Sequence, residues 1–294
     1  MRNSTVHVRV ALLIATLLVP LVSPQIASAQ QVFPPDSAVL AIIKQRVEEK
    51  RSAGIVIGIL EPDGRTRIVA FGDPGAGQPP LDGNTVFEIG SISKVFTATV
   101  LAELVKEGKV KLEDPVQKYL PPSVHLPTRS EKQITLGNLS EQNSGLPRMP
   151  SNFHPKDPSN PYADYSVQQM YDFVSGYQLT RDPGALFEYS NLGVGLLGHA
   201  LSLSTGQSYE QMERKRVWEP LKMTNTAIGL NWIIQHTGAN TIVWHNGGTG
   251  GYRTFLGLDP SSKTAVVVMT NSGGAGADDI GMHLLNPAIP LTPN

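Results

Sequence analysis

The chain has 294 residues, with 24 Lys and Arg against 25 Asp and Glu for a net charge of −1, and it contains no cysteine. That balance leaves no electrostatic footprint for nucleic acid or an anionic membrane surface. The absence of cysteine excludes disulfides, thiolate metal sites and a cysteine nucleophile.

Residues 1–29 read as an export signal. Arg2 and Arg9 give a positive start, Ala11 to Val22 is almost wholly apolar, and Ala27-Ser28-Ala29 is a small-x-small cleavage site. Pro20 interrupts the apolar run, which is short for a membrane span. Cleavage after Ala29, a periplasmic or secreted location and no stable membrane insertion of the mature protein are therefore expected. Residues 30–294 can bury a substantial core, as one large domain or two lobes sharing a cleft.

Asp36-Ser37 can cap a helix whose apolar positions Val39, Leu40, Ile43 and Val47 share a face, with Gly54 as its stop. Ile55 to Leu60 and Thr66 to Phe71 are β-rich runs joined by the turn Pro62-Asp63-Gly64. Ser93 to Glu107 has helical periodicity and ends before Gly108. Further helices are expected over Leu136 to Glu141, Val167 to Val174, Leu192 to Leu203 and Tyr209 to Trp218. Between them, Asn143 to Tyr165 carries five prolines, and fits either a functional or mobile rim or a plain connection. Strand signals return at Thr241 to Trp244, Tyr252 to Leu258 and Thr264 to Thr270, before a last helix over Asp278 to Leu285. The simplest packing is an α/β fold of the α+β type: an antiparallel sheet built from both chain ends, flanked by helices, with an inserted and shortened helical lobe. The sheet part spans roughly residues 30–95 and 232–294, and the lobe roughly 96–231, in a single catalytic domain.

Three motifs carry chemistry. Ser91-Ile92-Ser93-Lys94 places an amine one helical turn from a hydroxyl, so Lys94 could act as the base that a serine nucleophile needs. If Ser91 opens a helix, free N–H groups and a partial positive charge face a developing oxyanion. Tyr189-Ser190-Asn191 offers a phenol as an alternative proton shuttle and an amide that could hold substrate and orient Lys94; taken alone, the motif would read as an aromatic packed at a helix start with Asn191 as N-cap, and its place in the ordered set favours the catalytic role. His245-Asn246-Gly247-Gly248 suits a strand edge: Gly247 permits close backbone approach, and the Gly248 N–H can supply a second oxyanion donor. A protonated His245, or Arg253, could receive a substrate carboxylate.

Two other patterns lead elsewhere. Gly193-Val194-Gly195-Leu196-Leu197-Gly198 matches a dinucleotide-binding spacing, but no βαβ alternation surrounds it, and tight helix packing explains it better. No Gly-x-Ser-x-Gly elbow is present. The histidines lack metal-binding spacing, so neither a metal nor a cofactor is expected.

At these three motifs the chain resembles the serine β-lactamase and penicillin-binding superfamily, with class C β-lactamases and related DD-carboxypeptidase/endopeptidases and esterases nearest. Phe87 to Ala98, Ile134 to Pro150, Gly184 to Ala200 and Val243 to Asn271 carry the likeness. The resemblance implies Ser91 as nucleophile, Lys94 and Tyr189 sharing general-base work, Asn191 binding substrate and His245 contacting a substrate carboxylate. The implied reaction is β-lactam opening through an acyl-enzyme. A D-Ala-D-Ala peptide or ester substrate, or non-catalytic penicillin or peptidoglycan binding, are the alternatives. The partner is thus a small β-lactam or a peptidoglycan peptide, and not nucleic acid. His-Asn-Gly stands where class C enzymes usually have Lys-Thr-Gly, and Gly145-Leu146-Pro147 is followed by Arg148-Met149 rather than a near Gln. The stretch from Asn191 to His245 is also much shorter than in family members of ordinary length, as if cleanly excised near Gly229 to Trp232.

Overall fold

A computed structural model describes residues 32–158, 160–223, 233–237, 240–274 and 276–292. The expected export signal and the Gly229 to Trp232 segment lie outside the described residues.

The described chain starts with helix α1 (Asp36–Glu48), which buries Val39 and Ile43. Pro35 occupies the N-cap, and Asp36 stands in the first turn, where its charge suits the positive end of the helix dipole. The helix does not run on to Gly54. Lys50 takes a positive φ of 57° and turns the chain, and Gly54 instead opens strand β1 (Gly54–Leu60). Strand β2 (Thr66–Gly72) returns antiparallel, with Leu60 opposite Thr66.

The lobe's helices fall between residues 93 and 218, joined by long loops. They are α2 (Ser93–Lys106), α3 (Leu136–Ser140), α4 (Val167–Gly176), α5 (Asn191–Thr205) and α6 (Tyr209–Glu213). Thr135 and Ser166 close reciprocal capping boxes at the heads of α3 and α4, and so fix where each helix starts. Ser190, not Asn191, caps α5: its Oγ accepts the Gly193 N–H at 2.8 Å, which places Asn191 inside the first turn. The helix expected over Tyr209 to Trp218 is widened midway, with Arg214–Trp218 in a π-turn. Of the spaced glycines in α5, Gly198 meets the Tyr209 ring so closely that a Cβ would lie 2.9 Å from it, which is the packing role expected there.

The last part of the chain supplies β3 (Ile233–Thr237), β4 (Asn240–Gly248), β5 (Arg253–Asp259), β6 (Thr264–Thr270) and α7 (Asp278–Leu285). Strand β3 was not anticipated from the sequence. The six strands run β2-β1-β6-β5-β4-β3, and all neighbours are antiparallel. Pairing of β1 with β6, Ile57 opposite Val268, closes the sheet between the two ends of the chain.

Two apolar cores result. One packs α1 and α7 on a sheet face and includes Ile43, Ile57, Phe255, Val268 and Ile280. The other holds the helical lobe together through Val100, Leu101, Leu139, Leu196 and Leu197. Each such side chain, fully withdrawn from water, contributes roughly 1.5–3 kcal/mol. Strand alternation decides which core a residue serves. Phe255 points to the α1/α7 side, while its neighbour Leu256 packs on the lobe.

Candidate active site

Ser91 lies in a 3₁₀ turn, Gly90–Ile92, that runs directly into α2. It therefore precedes the α-helix rather than opening it. Lys94 then falls in the first turn of α2, 8% exposed, and its Nζ donates to Ser91 Oγ at 3.0 Å. The Tyr189 hydroxyl donates to the same oxygen at 2.7 Å. Two proton-bearing groups thus meet the Ser91 hydroxyl from two different elements.

Electrostatics separate their roles. Burial first, and the nearby Arg148 charge second, together lower Lys94 to about 8. Burial raises the Tyr189 phenol, against opposing effects of the Ser91 hydrogen bond and the Arg148 charge. Lys94 is therefore the group able to release its proton near neutral pH, while Tyr189 stays a neutral donor. Arg148 is exposed, and its guanidinium sits 4.9 Å from the Tyr189 ring centroid; Lys94 Nζ is 5.0 Å from the same centroid. In the sequence, Arg148 stands out only as a departure from a family pattern. Its sole signal was its place directly after Gly145-Leu146-Pro147.

Strand β4 brings the third motif beside the turn that carries Ser91. A Cβ on Gly247 would overlap the Ile89 carbonyl, and a Cβ on Gly90 (φ 53°) would fall 2.6 Å from the Gly248 nitrogen. Only glycine permits these approaches, so the motif's backbone lies directly against the turn that carries Ser91. Thr254 fastens the same seam, its Oγ1 donating to the Ile89 carbonyl at 2.9 Å.

His245 is 3% exposed, and its ring centroid lies 6.4 Å from that of Tyr189. Its Nδ1 donates to the Asn246 carbonyl, which leaves Nε2 as an acceptor. Burial lowers its pKa to about 4; the backbone hydrogen bond raises it and the Lys94 charge lowers it. Above pH 5 it is neutral, so the expected carboxylate contact by a protonated His245 does not fit this environment.

Arg253 is on the other side of the sheet. It lines a recess with Asn246 and Asp278, and its Nη1 donates to the carbonyl of Tyr252 at 3.2 Å. Alternation along β5 turns Thr254 toward the Ser91 turn and Arg253 away from it. Asn246, likewise on the far face, donates to Asp278 at 2.6 Å and ties β4 to α7.

Asn191 does not orient Lys94. Its Nδ2 contacts Met149 Sδ and Tyr162 OH, each at 3.4 Å, while its Oδ1 is buried without a partner. Among the described residues, no group of three or more His, Cys, Asp or Glu could hold a metal ion.

The family model described as Beta-lactamase matches residues 39–231. This chain belongs to the β-lactamase family. Among curated relatives, D-alanyl-D-alanine-carboxypeptidase/endopeptidase AmpH of Escherichia coli (strain K12) is 34% identical over 168 residues, which is 56% of this chain and 43% of that protein. A β-lactamase of Pseudomonas fluorescens is 29% identical over 191 residues, 64% of this chain and 49% of its own. The chain thus spans about half the length of these relatives. Its fold is shared with a solved β-lactamase/D-alanine carboxypeptidase from Yersinia pestis, with a TM-score of 0.71 at 20% identity, covering 81% of this chain and 94% of that one. The β-lactamase-family frame accounts for the sheet closed by both chain ends, with the helical lobe inserted between them.

Proposed function

We propose that this chain is an exported serine hydrolase of the β-lactamase type, which opens β-lactam amides through an acyl-enzyme on Ser91. One observation carries the reading: Ser91 Oγ receives hydrogen bonds from both Lys94 and Tyr189, beside the backbone of Gly248. Neutral Lys94 takes the hydroxyl proton as Oγ attacks the carbonyl carbon. The backbone N–H groups of Ser91 and Gly248 are the donors for the developing oxyanion. As the C–N bond breaks, the Tyr189 hydroxyl passes its proton to the leaving nitrogen and regains one from Lys94. Water then attacks the ester, and the proton steps reverse. The export reading rests on residues 1–29. The test is nitrocefin turnover by the mature protein beside Ser91→Ala, with intact-mass spectrometry after incubation with penicillin. Equal rates in the two proteins, or no adduct and no turnover, would sink the proposal.

One observation favours a second substrate class for the same chemistry. Neutral His245 supplies no fixed charge for a carboxylate beside the leaving group. That suits an ester or an internal peptide amide, and the AmpH relative is named as an endopeptidase. Rates on p-nitrophenyl butyrate, a cross-linked muropeptide with an internal D-Ala amide, a cell-wall pentapeptide with a terminal D-Ala carboxylate, and nitrocefin separate the readings; turnover of nitrocefin alone would exclude this second class.

A further inference from the structure

Arg253 opens strand β5 directly opposite Gly248, the last residue of β4. The chain reverses between them through Thr249, Gly250, Gly251 and Tyr252. Two glycines give this turn wide backbone freedom. Packing does little to limit it, because a Cβ on Gly250 or Gly251 would meet nothing within 4 Å. The Thr249 N–H donates to the Tyr252 carbonyl at 3.2 Å, while Thr249 Oγ1 is buried without a partner. The other tie comes from the Arg253 side chain, which folds back under the turn. Its Nη1 donates to the Tyr252 carbonyl at 3.2 Å and, more weakly, to the Thr249 carbonyl at 3.4 Å.

The same guanidinium lies against the rear of Gly248. A Cβ on Gly248 would fall 2.5 Å from Nη1, 3.0 Å from Cζ and 3.5 Å from Cδ of Arg253. The arginine thus fills the space that any residue but glycine would need. A guanidinium keeps its charge at every accessible pH. That charge is felt across the recess behind the sheet: burial raises Asp278, and the Asn246 hydrogen bond and Arg253 oppose it. A fixed positive charge therefore stands directly behind the Gly248 peptide, on the face of the sheet away from Ser91. Charges and dipoles set in place before reaction are the ones that stabilise a developing oxyanion without reorganising.

We propose that Arg253 is a positioning residue for acyl transfer at Ser91, one that locks the Thr249–Tyr252 turn and holds Gly248 from behind so that its N–H is aimed at the oxyanion. The proposal rests on the reading of Ser91 as nucleophile and Gly248 as oxyanion donor. A group in this place acts on the transition state and leaves substrate binding alone. Arg253→Met keeps the length of the side chain and removes its fork and its charge. It is assayed on whichever of nitrocefin and p-nitrophenyl butyrate the wild-type mature protein turns over. The kcat should fall at least about tenfold, toward the 10²–10³ of a lost oxyanion donor, with KM within about twofold of wild type. Phenylboronic acid, whose tetrahedral adduct on Ser91 carries an oxygen at the oxyanion position, should bind more weakly by a similar factor. Gly248→Ala supplies a second arm, because its methyl must displace the guanidinium. Alone it should lower kcat by about tenfold; added to Arg253→Met, where that space is free, it should cost less than about twofold more. If circular dichroism shows Arg253→Met to be unfolded, Arg253→Lys carries the comparison, since lysine keeps the charge without the planar fork; its kcat should fall at least about threefold. A wild-type kcat in the Arg253 variant, or losses that multiply in the double variant, overturns the positioning role and leaves Ser91 as the proposed nucleophile. A raised KM at unchanged kcat makes Arg253 a substrate contact and overturns the role as well. No turnover and no penicillin adduct with wild-type protein removes the hydrolase reading, and this inference with it.

Discussion

In the proposed mechanism the pH dependence rests on one buried amine. Lys94 is lowered to about 8 by burial first and by Arg148 second. If its neutral form is the base, kcat/KM for acylation should rise with pH through a midpoint near 8. Arg148→Ala removes a repelling charge, so that midpoint should move upward; a pH–rate profile of both proteins checks it, and coincident midpoints would exclude the coupling. Lys94 also costs stability at neutral pH, because folding buries a charge that the unfolded chain leaves in water. Lys94→Met should therefore abolish acylation while stabilising the fold by about 2 kcal/mol at pH 7, read from urea midpoints. That Ser91, Lys94 and Tyr189 would meet was legible in the sequence, because each residue type announces its chemistry. The lowered pKa of His245 was not legible, for the opposite reason: burial is a property of the packed strand, and no motif displays it. Arg148 was missed because it acts on the ring of Tyr189, which lies in a different segment.

At the scale of elements, strand β4 is held from both faces. On one side Gly247 and Gly248 touch the turn before Ser91; on the other, Asn246 is tied to Asp278 at the head of α7. Gly247→Ala would force the strand away from Ile89 and carry the Gly248 N–H out of place. Loss of one oxyanion donor typically lowers kcat by about 10²–10³. The variant should show a fall of that size in acylation rate with its far-ultraviolet circular dichroism unchanged, and a wild-type rate would remove Gly248 from the oxyanion site. Helices and hairpin strands were legible because their periodicity and turn residues are local. Thr135 and Ser166 are clear in this respect, since each is followed three residues later by its capping partner. Strand β3 was not legible. Its only described strand partner is β4, and an edge strand of five residues gives too little alternation to be seen.

For the whole molecule, two buried groups give stability opposite pH dependences. His245 falls from 6.5 to about 4 on folding, so between those values the unfolded chain holds the extra proton. Its contribution is present above 6.5 and is lost as pH falls toward 4. Glu213, 0% exposed in the helical lobe, is raised from 4.5 to about 7, chiefly by burial. There the folded chain holds the proton, and stability declines as pH rises through that window. Glu213→Gln should therefore stabilise the protein at pH 8 by about 2 kcal/mol and change little at pH 4. Urea midpoints measured across this range check both signs; a Glu213→Gln curve parallel to wild type would show the carboxyl to be unshifted.

The pairing of β1 with β6 also orders events in time. Residues 54–60, made early, find their inner neighbour only at residues 264–270. Contacts this distant in sequence form slowly, because a long loop must close before they are rewarded. Ser91 and Lys94 therefore leave the ribosome long before Gly248 and the central strand exist to complete their surroundings. A nascent chain carries Ser91 and Lys94 without the strand of Gly248, so the proposed acylation site can be complete only once the last strands are in place.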